Sequence, residues 1–207
     1  MMDLSVIQSL FDKGGILMWP LAVLLVWGLL LIAVKGLQLR RGRIVNPKLV
    51  GSLEEMLLNN RMPDATAFCK KHSAPVTRIA LAGILNFDRP ENELKEIVEE
   101  AGRQEVPGIR RHLTSLGIIA AVSPLLGLLG TVLGMVEVFA TLGQGQGIQA
   151  TDLASGISEA LVTTAAGLTI AIPMVTFHNL YSNKANNLII ALEKTSLHMV
   201  QVLQRSA

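Results

Sequence analysis

Hydrophobic positions along the chain gather into three long runs set between polar segments. Ile16 to Val34 holds 19 residues without a charge, Leu116 to Val136 holds 21, and Ala160 to Phe177 holds 18. A helix that rises about 1.5 Å per residue crosses ~30 Å of hydrocarbon in about 20 residues, so each run predicts a membrane span. The first run exceeds the apolar core of a signal peptide, only Lys13 precedes it, and no small-x-small site follows before Lys35. It is therefore expected to remain as a span instead of being cleaved.

Polar residues between the first two runs are interrupted by helix-start signals. Asn46-Pro47, Pro63-Asp64, Ser73-Ala74-Pro75 and Asp88-Arg89-Pro90 each place a capping residue or proline ahead of an apolar periodicity. In the last of these, Leu94, Ile97 and Val98 share one side while Glu91, Glu93, Glu96, Glu99 and Glu100 form a solvated remainder. After the third run, Leu188, Leu192, Thr195, Met199 and Val202 repeat at four, three, four and three. This stripe suits a helix that packs on its own chain or one that bundles with other copies. The expected organisation is an all-α integral membrane protein. It comprises an outer N-terminus (1–15), spans at 16–34, 113–140 and 156–178, a helical cytoplasmic loop (35–112), an outer connection (141–155) and a cytoplasmic C-terminal helix (179–207).

Composition agrees with spans and adds their direction. Half of the residues are hydrophobic, 16% are charged and only 4% are aromatic, with 18 glycines and a mean hydropathy of +0.46. An apolar excess that is aliphatic and small permits close helix packing in lipid. The net charge of +2 gives no ground for a nucleic-acid partner. Of the 18 basic residues, one precedes the first run, fourteen lie from Lys35 to Arg111, none falls between the second and third runs, and three follow the third. Lys35, Arg40, Arg41 and Arg43 flank one end of the loop, with Arg110 and Arg111 at the other, which predicts a cytoplasmic loop and C-terminus.

Signatures of an enzyme are missing from the sequence. No Walker lysine follows Gly127 and Gly130, and Gly143-Gln-Gly-Gln-Gly147 lacks dinucleotide-loop spacing. Cys69 and His72 fall short of a zinc set, and no disulfide can form within a chain that has one cysteine. Ser155 and Ser158 have no neighbouring base, and His112 and His178 stand at span ends as interfacial residues. Neither a cofactor nor a metal is expected.

Small residues at helical spacing mark the second and third spans. Ala120, Ser123, Gly127, Gly130, Thr131 and Gly134 form one narrow face, and Gly156, Ala160, Thr163, Gly167 and Ala171 form another. Such faces let backbones approach, and three helices from one copy cannot enclose a path while exposing them to lipid, so a homo-oligomer is expected. Two acids add chemistry. An ionisable group at mid-membrane costs about 2.5–3.5 kcal/mol on insertion scales and less near an interface, which favours a role for Glu159 over one for Glu137, a turn from the outer loop. Glu159 shares a face with Thr163, four residues on, and the pair suggests an aqueous or protein-lined path.

Pro124-Leu-Leu-Gly-Leu-Leu-Gly-Thr-Val-Leu-Gly134 and Gly156-Ile-Ser-Glu-Ala-Leu-Val-Thr-Thr-Ala-Ala-Gly-Leu-Thr-Ile-Ala-Ile-Pro173 resemble the MotA/TolQ/ExbB proton-channel family, with ExbB the nearest branch. Three spans resemble the ExbB and TolQ order, whereas MotA-type stators have four. The resemblance implies an inner-membrane pentamer, embedded in lipid, around helices of an ExbD-like single-span subunit, with a TonB-like transducer carrying the motion to outer-membrane transporters. It implies proton-path roles for Thr131, Glu159 and Thr164. An ideal helix sets Thr164 about 140° from Glu159, so spacing favours Thr163 and the resemblance Thr164. A TolQ-like envelope motor and a non-conducting scaffold are the alternatives.

Overall fold

The computed structural model describes residues 14–39, 44–143 and 150–205. Among them, seven helices are α1 (Met18–Gln38), α2 (Pro47–Leu58), α3 (Met62–Lys71), α4 (Pro75–Ile84), α5 (Glu91–Arg110), α6 (Leu113–Gly143) and α7 (Ala150–Arg205), with no strand among the described residues. They sort into two compact units. One comprises the chain to Ala33 together with His112–Asn179, and the other Val34–Arg111 with Leu180–Ala207.

In the polar unit, local chemistry starts each helix. The Asn46 side chain accepts from the Lys48 N–H at 3.0 Å while Pro47 takes the first helical position. These are the two devices that meet orphan amides at a helix start. Ala74 has no side chain able to cap α4, and Thr77 does the work in reverse, its Oγ1 accepting from the Ala74 N–H at 3.1 Å. Leu53 and Leu57 of α2, Val76 and Ile79 of α4, and Leu94 and Val98 of α5 are fully buried. Each such side chain contributes about 1.5–3 kcal/mol. The glutamates of α5 are exposed or half-buried, as a solvated face should be. Arg78 joins α4 to α5, donating from Nε and Nη2 to the two Glu105 oxygens at 2.6 and 2.5 Å.

The stripe on the C-terminal half of α7 is used inside the chain. Leu188, Leu192, Met199 and Val202 are buried, and Leu203 Cδ1 stands 3.0 Å from where a Cβ on Gly83 would sit. His198 Nε2 lies 3.0 Å from Glu54 Oε1 at the edge of the same packing. Lys35 differs from the simple solvent-facing flank that the charge pattern suggests. It is 1% exposed, and its Nζ donates to the Ile109 carbonyl at 3.1 Å, satisfying one of the open carbonyls at the end of α5.

Chain breaks also have local causes. At the end of α5, Pro107 lacks an amide, the Arg111 N–H closes on the Pro107 carbonyl at 2.8 Å, and His112 takes a left-handed φ of 68°. By contrast, α7 runs unbroken for 56 residues through Pro173, whereas the sequence pattern divides it near His178. No glycine or proline lies between Pro173 and Arg205, so nothing stops the helix where the apolar run ends.

The other unit inverts the usual distribution of side chains. Trp19 is 69% exposed, Leu125 63% and Phe139 63%. Apolar surface on that scale suits contact with lipid or with other apolar helices and not with water. Among the described residues, three helices are long and apolar enough to cross a membrane. Pro20 falls in the first turn of α1, where no intrahelical partner for its missing N–H is needed. Pro124 and Pro173 sit inside α6 and α7, as membrane helices tolerate.

Candidate functional site

α6 and α7 meet along a seam with little between their backbones. A Cβ on Gly167 would lie 2.6 Å from the Ser123 carbonyl oxygen and 3.1 Å from the Gly127 Cα. One on Gly127 would lie 3.1 Å from the Thr164 Cα, and one on Gly130 2.5 Å from Thr163 Cγ2. Farther along, the corresponding position on Gly134 is 3.2 Å from both the Ala160 Cβ and the Gly156 carbonyl oxygen, and that on Gly156 would overlap the Val138 side chain. Every glycine singled out for packing therefore stands at a place where a larger residue would force atoms together. The two small faces meet each other within one chain, so they are covered without a second copy.

Hydroxyls fasten this seam. Thr164 Oγ1 donates across it to the Gly127 carbonyl at 2.9 Å, and Ser123, fully buried, donates back along its own helix to Ile119 at 2.7 Å. Thr131 donates to Leu128 within α6 at 2.7 Å, and Gly130 is the residue that meets Thr163. Thr163 is 1% exposed; its Oγ1 lies 2.8 Å from the Glu159 carbonyl and 3.0 Å from the Gly14 carbonyl, and its single proton serves one or the other. All three candidate threonines thus direct their hydroxyl protons at backbone carbonyls, Thr163 inside the unit and Thr164 and Thr131 at half-buried positions.

Glu159 is half-buried one turn before Thr163, while Glu137 is exposed. The Glu159 carboxylate lies against Gly15, where a Cβ would overlap Oε1 and stand 3.0 Å from Cδ. The structure brings Glu159 and Thr163 together with the start of α1, and it leaves Thr131 outside that group. Sequence reasoning missed Gly14 and Gly15. The Gly-Gly pair ahead of Ile16 is a turn signal, yet nothing in spacing links it to a residue more than 140 positions away.

His178 Nε2 sits 3.0 Å from the Cβ position of Gly117, so the ring covers a glycine of α6. Cys69 is buried, which pushes its thiol up to about 11. Among the described residues no cluster of three metal-binding side chains occurs. The Gly143–Gly147 connector lies mostly outside the described residues.

Residues 71–194 match the MotA/TolQ/ExbB proton channel family. The chain is 35% identical over 176 residues to the ExbB-like 3 biopolymer transport protein of Synechocystis, a match that covers 81% of each. It is 32% identical over 200 residues to biopolymer transport protein exbB1 of Vibrio cholerae, covering 91% of this chain and 85% of that one. With the Tol-Pal system protein TolQ of Haemophilus influenzae it shares 35% identity over 105 residues, 49% of this chain and 46% of that one.

Proposed function

The chain belongs to the MotA/TolQ/ExbB proton channel family, and we propose that it is the multi-span subunit of a proton-driven motor in a bacterial inner membrane. Its N-terminus and the α6–α7 connection face the periplasm, and the polar unit faces the cytoplasm, following the basic flanks of the 35–112 segment. Copies of the chain assemble, as a pentamer, around spans of an ExbD-like subunit, and a TonB-like protein carries the motion to outer-membrane transporters. Broader coverage by ExbB-type relatives than by TolQ supports this branch over the envelope-maintenance one.

One observation carries the proposal: a half-buried carboxylate, Glu159, stands in an apolar helix beside the glycine seam of the unit. Such a group is costly in hydrocarbon and is kept where it handles charge. Around it, the glycine contacts fix the α7 backbone, so the acid has a defined position from which to pass protons to a partner or to hold water. Proton-motive-force-dependent uptake in cells complemented with Glu159→Ala tests this. Membrane abundance and oligomer size should stay near the parent's while uptake falls to background. Glu159→Gln shows whether charge itself is needed, and normal uptake by Glu159→Ala would move the chain to a scaffold role.

A further inference from the structure

We propose that the Gly14–Gly15 turn is a positioning element for the Glu159 carboxylate. This deepens the proton-motor reading and rests on it for the importance of Glu159. Three contacts carry it. Gly15 has φ +63°, a left-handed conformation, and the Glu159 carboxylate occupies the space where its side chain would be, with Cδ 3.0 Å and Cγ 3.7 Å from the Cβ position. Glycine satisfies both demands at once: an L side chain is strained at that φ and would strike the carboxylate. One turn along α7, Thr163 Oγ1 reaches the Gly14 carbonyl at 3.0 Å in a buried contact. The Gly15 carbonyl in turn accepts from the Met18 N–H at 3.2 Å, which ties the turn to the first residue of α1.

The turn is therefore bonded on one side to α1 and packed on the other against Thr163 of α7, whose proton is shared between the Gly14 and Glu159 carbonyls, and the acid lies against it between these contacts. A glutamate on a helix has several rotamers that keep the carboxylate in reach of solvent. Contact with Gly15 from one side and a backbone held by Thr163 from the other leave it fewer. A proton-handling group held in this way meets its partner in one orientation, which is what positioning contributes to a transfer step. Gly15 comes to the site from outside residues 71–194, the part of the chain that matches the family.

A double-mutant cycle in complemented cells separates positioning from backbone strain. Gly15→Ala should lower proton-motive-force-driven uptake between about tenfold and about a hundredfold at parental membrane abundance. Paired with Glu159→Asp, whose shorter side chain draws its oxygens away from the new methyl group, the same change should cost far less than it does alone. Strain at φ +63° is identical in both backgrounds, so an equal loss in each would overturn the inference.

A second readout does not depend on transport. Modification of Glu159 by a membrane-permeant carbodiimide, followed by mass spectrometry of the purified assembly, should change in rate in Gly15→Ala and Thr163→Val and keep the parental rate in Thr163→Ser. Identical rates in all three would overturn the inference even if Glu159→Asp proves inactive. If Glu159→Ala abolishes uptake while Gly15→Ala transports normally, the positioning role fails and the motor reading stands. If Glu159→Ala transports normally, the motor reading fails, and labelling still decides whether the turn holds the carboxylate.

Discussion

Alanine at position 167 would place a Cβ 2.6 Å from the Ser123 carbonyl oxygen, where ordinary contact begins at 3.4 Å. The shortfall of 0.8 Å falls on backbone, and the next two neighbours, Gly127 Cα and N at 3.1 and 3.2 Å, are backbone too, so no side chain can swing aside. α6 and α7 must part. Overpacking of this kind costs about 1–3 kcal/mol. Separation also lengthens the Thr164–Gly127 bond from 2.9 Å, an interhelical hydrogen bond worth about 0.6 kcal/mol. Alanine's better helix propensity returns at most about 1 kcal/mol. The net is a loss of roughly 0.6–2.6 kcal/mol, and at about 2–4 °C per kcal/mol for a chain of this size, a fall in melting temperature of roughly 1–10 °C. Thermal unfolding of the detergent-purified protein, followed by circular dichroism, measures it. Gly51→Ala is the control: nothing lies within 4 Å of its Cβ position, so propensity acts alone and the melting temperature should rise. A Gly167→Ala protein that melts with or above the parent would refute the backbone-contact argument for the seam.

Lys35→Met removes the ammonium that meets the Ile109 carbonyl, and an unmet buried carbonyl should lower stability by about 1–3 kcal/mol, read by the same melting experiment. Cys69 should resist maleimide at neutral pH until the protein unfolds. Its thiol is held at about 11 against an ordinary value of 9.0, so above pH 9 the unfolded chain loses this proton before the folded one does. The stability this group supplies is whole below that pH and falls through pH 11, by up to about 2–3 kcal/mol, which denaturant titration across that window checks. For topology, a cysteine at the exposed Glu96 should react with a membrane-impermeant maleimide only after cells are opened, and labelling of intact cells would invert the assignment.

Much of the helical architecture was legible because its causes are local. Asn46-Pro47, Pro63 and Pro75 announce starts within a few residues of where α2, α3 and α4 begin, since a cap or a proline acts on the first turn alone. The three apolar runs are legible from length, because no soluble core asks for 20 uncharged residues in succession. What escaped was long-range or depended on a stop signal that is not there. The length of α7 follows from the lack of a breaker after Pro173, which a hydrophobicity pattern does not register. Lys35 counts as a flank in any tally of charge, and only the fold shows it turned in toward Ile109. The pairing of small faces with each other was equally hidden, because a stripe of glycine and alanine states that something comes close without stating what. Gly15 and Glu159 meet through tertiary structure alone.

The glycine seam divides the membrane unit into hard and soft surfaces. Along Gly127, Gly134 and Gly167 the two helices touch through backbone, which neither compresses nor rotates out of the way. Their outward faces carry Leu125 and Val136 on α6 and Leu161 and Ile172 on α7, each more than half exposed, whose branched ends can slide over similar groups without losing a hydrogen bond. A torque applied to this unit therefore turns α6 and α7 together as a single stiff strut. Relative movement is expected at the greasy exterior, where leucine and valine can meet lipid or another apolar helix, and not along the seam.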